Sequence, residues 1–209
     1  MNIAVIAANG RTGRAFVTTA LAAGHSVRAG ALTVNNFPKH QNLTEVICDA
    51  TNVNDLSLLL EGQDAVASFI GHVRNSPPTV QTDAIRALVA TMNEQNISRI
   101  VSLTGTGVRL EGDKITLIDQ FLNLAVGIID PNRVSDGKSH VKVLQESNLD
   151  WTVIRVLKLE NVAPKPFQLL EHGPTKMYVS REEVAQAALQ VLDNASFVRL
   201  APIISKAQA

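Results

Sequence analysis

The chain has 209 residues, 45% of them hydrophobic and 18% charged, a composition that suits a globular protein with a sizeable core. Nineteen basic and nineteen acidic residues cancel, so the charge balance favours neither nucleic acid nor an anionic membrane as partner. Six Phe, one Trp and one Tyr argue against an aromatic base-stacking platform, and the single cysteine, Cys48, excludes an internal disulfide or a thiolate zinc cage.

In chain order, Met1 leads almost directly into the first apolar run, which leaves no room for a secretory signal. No stretch reaches the length of a membrane span, so the cytoplasm is the expected compartment. Apolar runs suited to buried strands recur at 3–7, 27–32, 46–47, 65–70, 100–103 and 152–156. Between them lie helical stripes: Phe16, Val17, Ala20 and Leu21, then Leu56, Leu59 and Leu60, then Ile85, Leu88, Val89 and Met92.

Turn chemistry sets the boundaries. Gly24 and His25 close the first helix, Asn54 and Asp55 lie near the start of the second, and Gly62 falls past its end. Ser180 and Glu183 fit a capping box before a helix over 184–192. Segments 33–42 and 163–175 read as irregular, the latter with Pro164, Pro166 and Pro174. Strand and helix alternate, which predicts a Rossmann-type α/β fold with a doubly wound parallel sheet. One domain over 1–209 is the simplest reading, with 1–150 as cofactor-binding core and 151–209 as a small substrate-side part.

The first strand runs into Ala7, Ala8, Asn9, Gly10, Arg11, Thr12 and Gly13. In a dinucleotide-binding turn, glycines let the backbone approach a pyrophosphate, and the next helix presents free N–H groups to it. Gly10 and Gly13 fit that use, and Arg11 and Thr12 can add a charge and a hydroxyl. The position of the first glycine holds Ala7 instead.

Several segments together resemble the atypical short-chain dehydrogenases, in particular the NmrA-like and biliverdin-reductase-B-like (NADH–flavin-reductase-like) group. They are "VIAANGRTGR", "VICDATN", "QDAVASFIG", "ISRIVSLTGTGV", "KVLQESNLDWTVIR" and "VSREEVAQAAL". The resemblance implies an NAD(P)H cofactor, with Asn9 to Gly13 at the phosphates, Ala8 also among the cofactor-binding residues, Asp49 and Ala50 beside the adenine, and Gly71 near the ribose and nicotinamide. At the end of the second strand the group often carries an Arg for the 2′-phosphate of NADP. Leu32 stands there, followed by Thr33, which leaves NAD or NADP open; Arg11, Arg28 and Lys39 are substitutes to consider.

The resemblance also implies where proton chemistry would sit. Lys138 matches the Lys of the usual Tyr–Lys pair, but the Tyr position is Val134 and the Ser position is Gly105. Thr104 is the best-placed hydroxyl for nicotinamide or substrate, so Thr104 and Lys138 are the catalytic candidates. Without an acid–base pair, alcohol–ketone chemistry lacks its proton donor. The expected function is therefore hydride transfer to a flat conjugated acceptor such as a flavin, quinone or bilin. The alternative is a non-catalytic NAD(P)-binding redox sensor of the NmrA-like type.

Smaller expectations complete the reading. Cys48 is a small buried hydrophobe rather than a reactive thiol. His72 lies where ligands bind in such sheets, although a solvent-facing loop histidine is the commoner case. His140 and His172 lack metal-ligand spacing, so no metal is expected. Arg181, Glu182 and Glu183 read as a solvated helix start. The partner expected is a small-molecule substrate, with no nucleic acid or membrane, and a homodimer is compatible with the sequence.

Overall fold

The computed structural model describes residues 1–33, 36–73, 75–114 and 116–207. Val34 and Asn35, inside the irregular stretch 33–42, lie outside the described residues. In chain order the elements are β1 (Asn2–Ile6), α1 (Arg11–Ala22), β2 (Ser26–Ala31), β3 (Leu43–Ile47), α2 (Val53–Leu60), β4 (Ala65–Ser68), α3 (Val80–Glu94) and β5 (Arg99–Gly105). They continue with α4 (Leu117–Ile129), α5 (Pro131–Glu146), β6 (Asp150–Val156), β7 (Lys158–Glu160), β8 (Phe167–Leu170), β9 (Tyr178–Ser180), α6 (Arg181–Asp193) and β10 (Ile203–Lys206).

The main sheet runs β3-β2-β1-β4-β5-β6-β10-β8, parallel throughout except for β8, which pairs antiparallel with β10. The chain winds outward from β1 to β3, then returns and winds the other way from β4 to β6. That reversal leaves a crevice outside the carboxyl ends of β1 and β4, where ligands bind in open α/β sheets.

Side-chain alternation explains the two cores. Ile3 and Val5 of β1 point to the face covered by Phe16, Val17 and Ala20 of α1 and Val184, Ala188 and Leu192 of α6. Ala4 and Ile6 point to the other face, under Leu56, Leu59 and Leu60 of α2, Ile85, Leu88 and Met92 of α3, and Val141 and Leu144 of α5. Each buried Val, Leu, Ile, Phe or Met among them contributes on the order of 2 kcal/mol by leaving water.

The structure corrects several sequence expectations. β3 begins at Leu43, three residues earlier than its apolar pair suggests, because an edge strand half in solvent carries polar residues. The second helix is capped by Asn52, whose side-chain oxygen accepts from the Asn54 and Asp55 N–H groups. The stretch 163–175 is not wholly irregular, since β8 forms inside it by pairing with the distant β10. Helix α4 is not among the expected core stripes; it turns its apolar line outward and buries Asp119. The Ser180–Glu183 capping box is present. Glu183 itself is buried and pairs with Lys176 at 2.6 Å, so this helix start is not simply a solvated one. Cys48 is buried, and burial, with Asp55 and Asp49 nearby, pushes its thiol up to about 12; it is inert at neutral pH.

Arg155 ties the loop after β5 and the stretch around Glu171 to the sheet. This fully buried guanidinium on β6 makes paired bonds to Asp113 at 2.5 and 2.8 Å and donates to the carbonyls of Val108, Glu171 and Ala201. Burial raises the Asp113 carboxyl, but hydrogen bonds from Arg155 and the Leu110 N–H outweigh it and hold it below the usual range. Among the described residues no helix is long and apolar enough to cross a membrane.

Candidate cofactor site

The site begins where β1 ends. Ala7 adopts φ 57°, the left-handed conformation that glycine takes most readily. The tight turn is thus made with alanine, at a cost of about 1 kcal/mol of backbone strain. The Gly10 N–H donates to the Ala7 carbonyl at 3.0 Å, and the Ala8 N–H to the Gly30 carbonyl at 3.0 Å.

Gly13 is required for another reason. A Cβ there would stand 2.3 Å from the Ala7 oxygen and 2.9 Å from the Ala8 Cα, so α1 lies directly against the turn. No side chain caps α1 and no acidic residue occupies its first turn. Its first N–H groups and its positive dipole end therefore face the crevice without a competing partner from the chain, as a pyrophosphate requires. Arg11 is exposed, with no hydrogen bond or ion pair among the described residues. It lies near Arg181 of α6: burial first, and then the charge of Arg11, lowers the Arg181 guanidinium.

On the β2 side of the turn, Asn9 Nδ2 donates to Thr33 Oγ1 at 3.3 Å, which joins the turn to the chain just after β2. Leu32 is exposed there. Arg28 is not free to replace the missing cation, because its Nη1 donates to the Leu58 and Glu61 carbonyls at the end of α2. Lys39 is exposed in the following loop. Asp49 lies two residues beyond β3 and caps its own loop: Oδ1 accepts from the Thr51 N–H at 2.9 Å and from Thr51 Oγ1 at 2.8 Å. Ala50 beside it is half-buried. Gly71, beyond β4, has nothing within 4 Å of its missing Cβ, so the crevice is open at that point.

At the end of β5 the Thr104 hydroxyl is nearly buried and makes no hydrogen bond among the described residues. It packs on Gly137, whose missing Cβ would lie 2.9 Å from Thr104 Oγ1. Lys138, the next residue on α5, is exposed and unpaired among the described residues. Val134 lies against Gly107, and Gly105 has no neighbour nearer than 3.9 Å to its missing Cβ. The structure therefore brings Thr104 to the edge of the crevice but joins it to no titratable partner.

One group near the site has no counterpart in the sequence reading. Asp136 of α5 accepts from the Gln81 N–H at 2.8 Å, the Thr82 N–H at 3.0 Å and the Thr82 hydroxyl, capping α3 from another helix. Its Oδ2 is also 2.8 Å from His72 Nε2. His72 thus turns inward rather than to solvent, and this contact fixes the loop after β4 beside Gly71. Burial raises the Asp136 carboxyl, but bonds from Thr82, Gln81 and His72 bring it below the usual range. One turn on, His140 Nε2 lies 2.9 Å from Ser102 Oγ, Nδ1 is unpartnered, and burial lowers the ring to about 4. Asp136, His140, Val141 and Leu144 share the buried face of α5. Polar residues on an otherwise apolar helical stripe were the available signal.

These features define an NAD(P)-binding protein with a Rossmann-type fold. Residues 7–195 match the model of the NAD(P)H-binding family, and the chain belongs to that family. Nicotinamide dinucleotide is its cofactor class, and the uncapped α1, the close Gly13 and the open Gly71 fit it. Solved structures agree on the fold. A short-chain dehydrogenase/reductase from Veillonella parvula in complex with NADP superposes with TM-score 0.82 at 19% identity, covering 98% of this chain and 94% of that one. The oxidoreductase ylbE from Lactococcus lactis gives 0.82 at 15% identity, covering 100% and 92%. A Rossmann-fold NAD(P)-binding family protein from Shigella flexneri gives 0.73 at 16% identity, covering 100% and 96%.

Proposed function

We propose that the protein is an NAD(P)H-dependent reductase that delivers hydride to a flat conjugated acceptor, with a flavin, a quinone or a bilin as the acceptor class. The supporting observation is the contrast within one crevice: a complete backbone cradle for the nucleotide beside a β5 end with no acid–base pair. When bound, the reduced nicotinamide supplies the hydride. The Ala7–Gly13 turn holds the phosphates and so fixes how far the cofactor reaches toward β5. Thr104 offers an unspent hydroxyl at that end, and Gly71 and Gly105 leave surface without side chains on which a planar ring can lie.

A flat acceptor whose accepting atom stays solvated takes its proton from water, so alignment is the protein's main task. A cytoplasmic location belongs to the same reading. The second reading, a redox sensor of the NmrA-like type that binds without turnover, is favoured by Val134 and by the unpaired Lys138. One experiment separates them: NADH and NADPH absorbance is followed with FMN, a soluble quinone and a bilin, using 4-deuterated nucleotide as a check. The reductase consumes nucleotide with at least one acceptor, more slowly when deuterated. Calorimetric binding with no consumption in any pairing contradicts it and leaves the sensor.

A further inference from the structure

Helix α4 presents a surface unlike those of the other helices. Leu117, Phe121, Leu124 and Ile128 are 82%, 70%, 65% and 74% exposed. Their spacing of four, three and four residues places them on one line along the helix. Ile118 and Ile129 are also exposed beside that line. Polar bonds hold the opposite face: Asp119 accepts from Thr106 Oγ1 at 2.9 Å, from Arg109 Nη1 at 2.8 Å and from Asn123 Nδ2 at 2.5 Å. The helix is thereby fixed with its one charged residue inward and its apolar line outward.

Six large side chains this exposed form a patch above the roughly 300–600 Å² usual on a monomer. It approaches the roughly 800 Å² that each partner of a stable pair contributes. We propose that a second copy of this chain covers it, with the two α4 helices antiparallel about a twofold axis between Phe121 and Leu124. Phe121 then meets Leu124 of the other copy, and Leu117 meets Ile128.

Three observations select this occupant. The four-three-four spacing is unchanged when read backwards, which is what a twofold contact of identical patches demands. The helix carries no Lys, Arg or Glu, so doubling the patch brings no like charges together. The formal net charge of +0 also removes long-range repulsion between copies. A membrane surface fits less well, because interfacial helices border their apolar face with cations and α4 has none. The proposal does not depend on the acceptor or on turnover.

Sedimentation velocity of the full chain tests it, with Leu124→Glu as the disrupting variant and Leu58→Glu, exposed on α2, as the control. Wild type and Leu58→Glu should sediment at twice the 22.5 kDa chain mass. Leu124→Glu should sediment at the chain mass, its dissociation constant raised at least about 100-fold by two buried charges at the axis. Circular dichroism verifies its folding, and Phe121→Glu replaces it if it does not fold. A monomeric wild type overturns the proposal, as does a dimer indifferent to both variants. Flotation of a monomeric wild type with phosphatidylcholine vesicles assigns the stripe to a membrane and overturns it too.

Discussion

The glycine turn after β1 and the end of β5 lie on the same edge of the sheet but depend on different parts of the chain. At the turn, function rests on backbone: free N–H groups of α1, a left-handed residue 7 and close contact at Gly13. Alanine can stand where glycine is usual, because conformation and not side chain is needed there. At the end of β5 the usual proton chemistry needs particular side chains, and Gly105 and Val134 cannot supply them. A backbone-built site tolerates substitution that a side-chain-built site does not. This chain carries the first, and the proposed reading assigns no acid–base pair of side chains to the second.

The largest effect that would break this contrast is at Gly13. Gly13→Val puts a side chain onto the Ala7 oxygen, 2.3 Å from the Cβ position, and should cost more than about 4 kcal/mol in urea unfolding and abolish nucleotide binding. Gly71→Ala enters open space and should change stability by less than about 0.5 kcal/mol. Equal effects at the two glycines would mean that close backbone contact is not what builds the turn.

Next comes the tie between β6 and the loop after β5. Asp113→Asn leaves Arg155 charged and buried, at a cost of about 3–5 kcal/mol by denaturant titration. Because the Asp113 carboxyl is depressed in the fold, its contribution is complete above the ordinary value of about 3.9. That contribution disappears as pH falls through the lower folded value. A variant with the stability and acid sensitivity of wild type would remove Arg155–Asp113 as the tie.

His140 gives an effect of opposite origin. Its folded value is lowered to about 4, so between that pH and its unfolded value near 6.5 only the unfolded chain takes up the proton. Stability should rise with pH across this window, by on the order of 3 kcal/mol in total. His140→Gln should flatten the rise when unfolding is followed at several pH values. The smallest expected change is Ala7→Gly, which relieves the left-handed strain, stabilises by up to about 1 kcal/mol and raises Tm by about 2–4 °C. A loss of stability there would show that Ala7 is held by packing instead.

The sequence made the two faces of β1 legible because Ile3, Ala4, Val5 and Ile6 are apolar without interruption, as a strand covered on both sides must be. The stripes of α1, α2 and α3 were legible because each buries one face. β8 and β10 were not, since they are short and exist only through pairing between distant segments. The turn was readable down to its glycines, but the conformation that Ala7 adopts was not. Asp136 escaped because its partners, His72, Gln81 and Thr82, are more than fifty residues away. Its role depends on α5 meeting the start of α3.

The most direct test of the contrast is the pH dependence of single-turnover NADPH oxidation by FMN. If the chain binds and aligns without donating a proton, the rate should be flat between about pH 6 and 8.5 and unchanged in Lys138→Ala. A rate that follows one protein ionisation and is lost in Lys138→Ala would contradict the account.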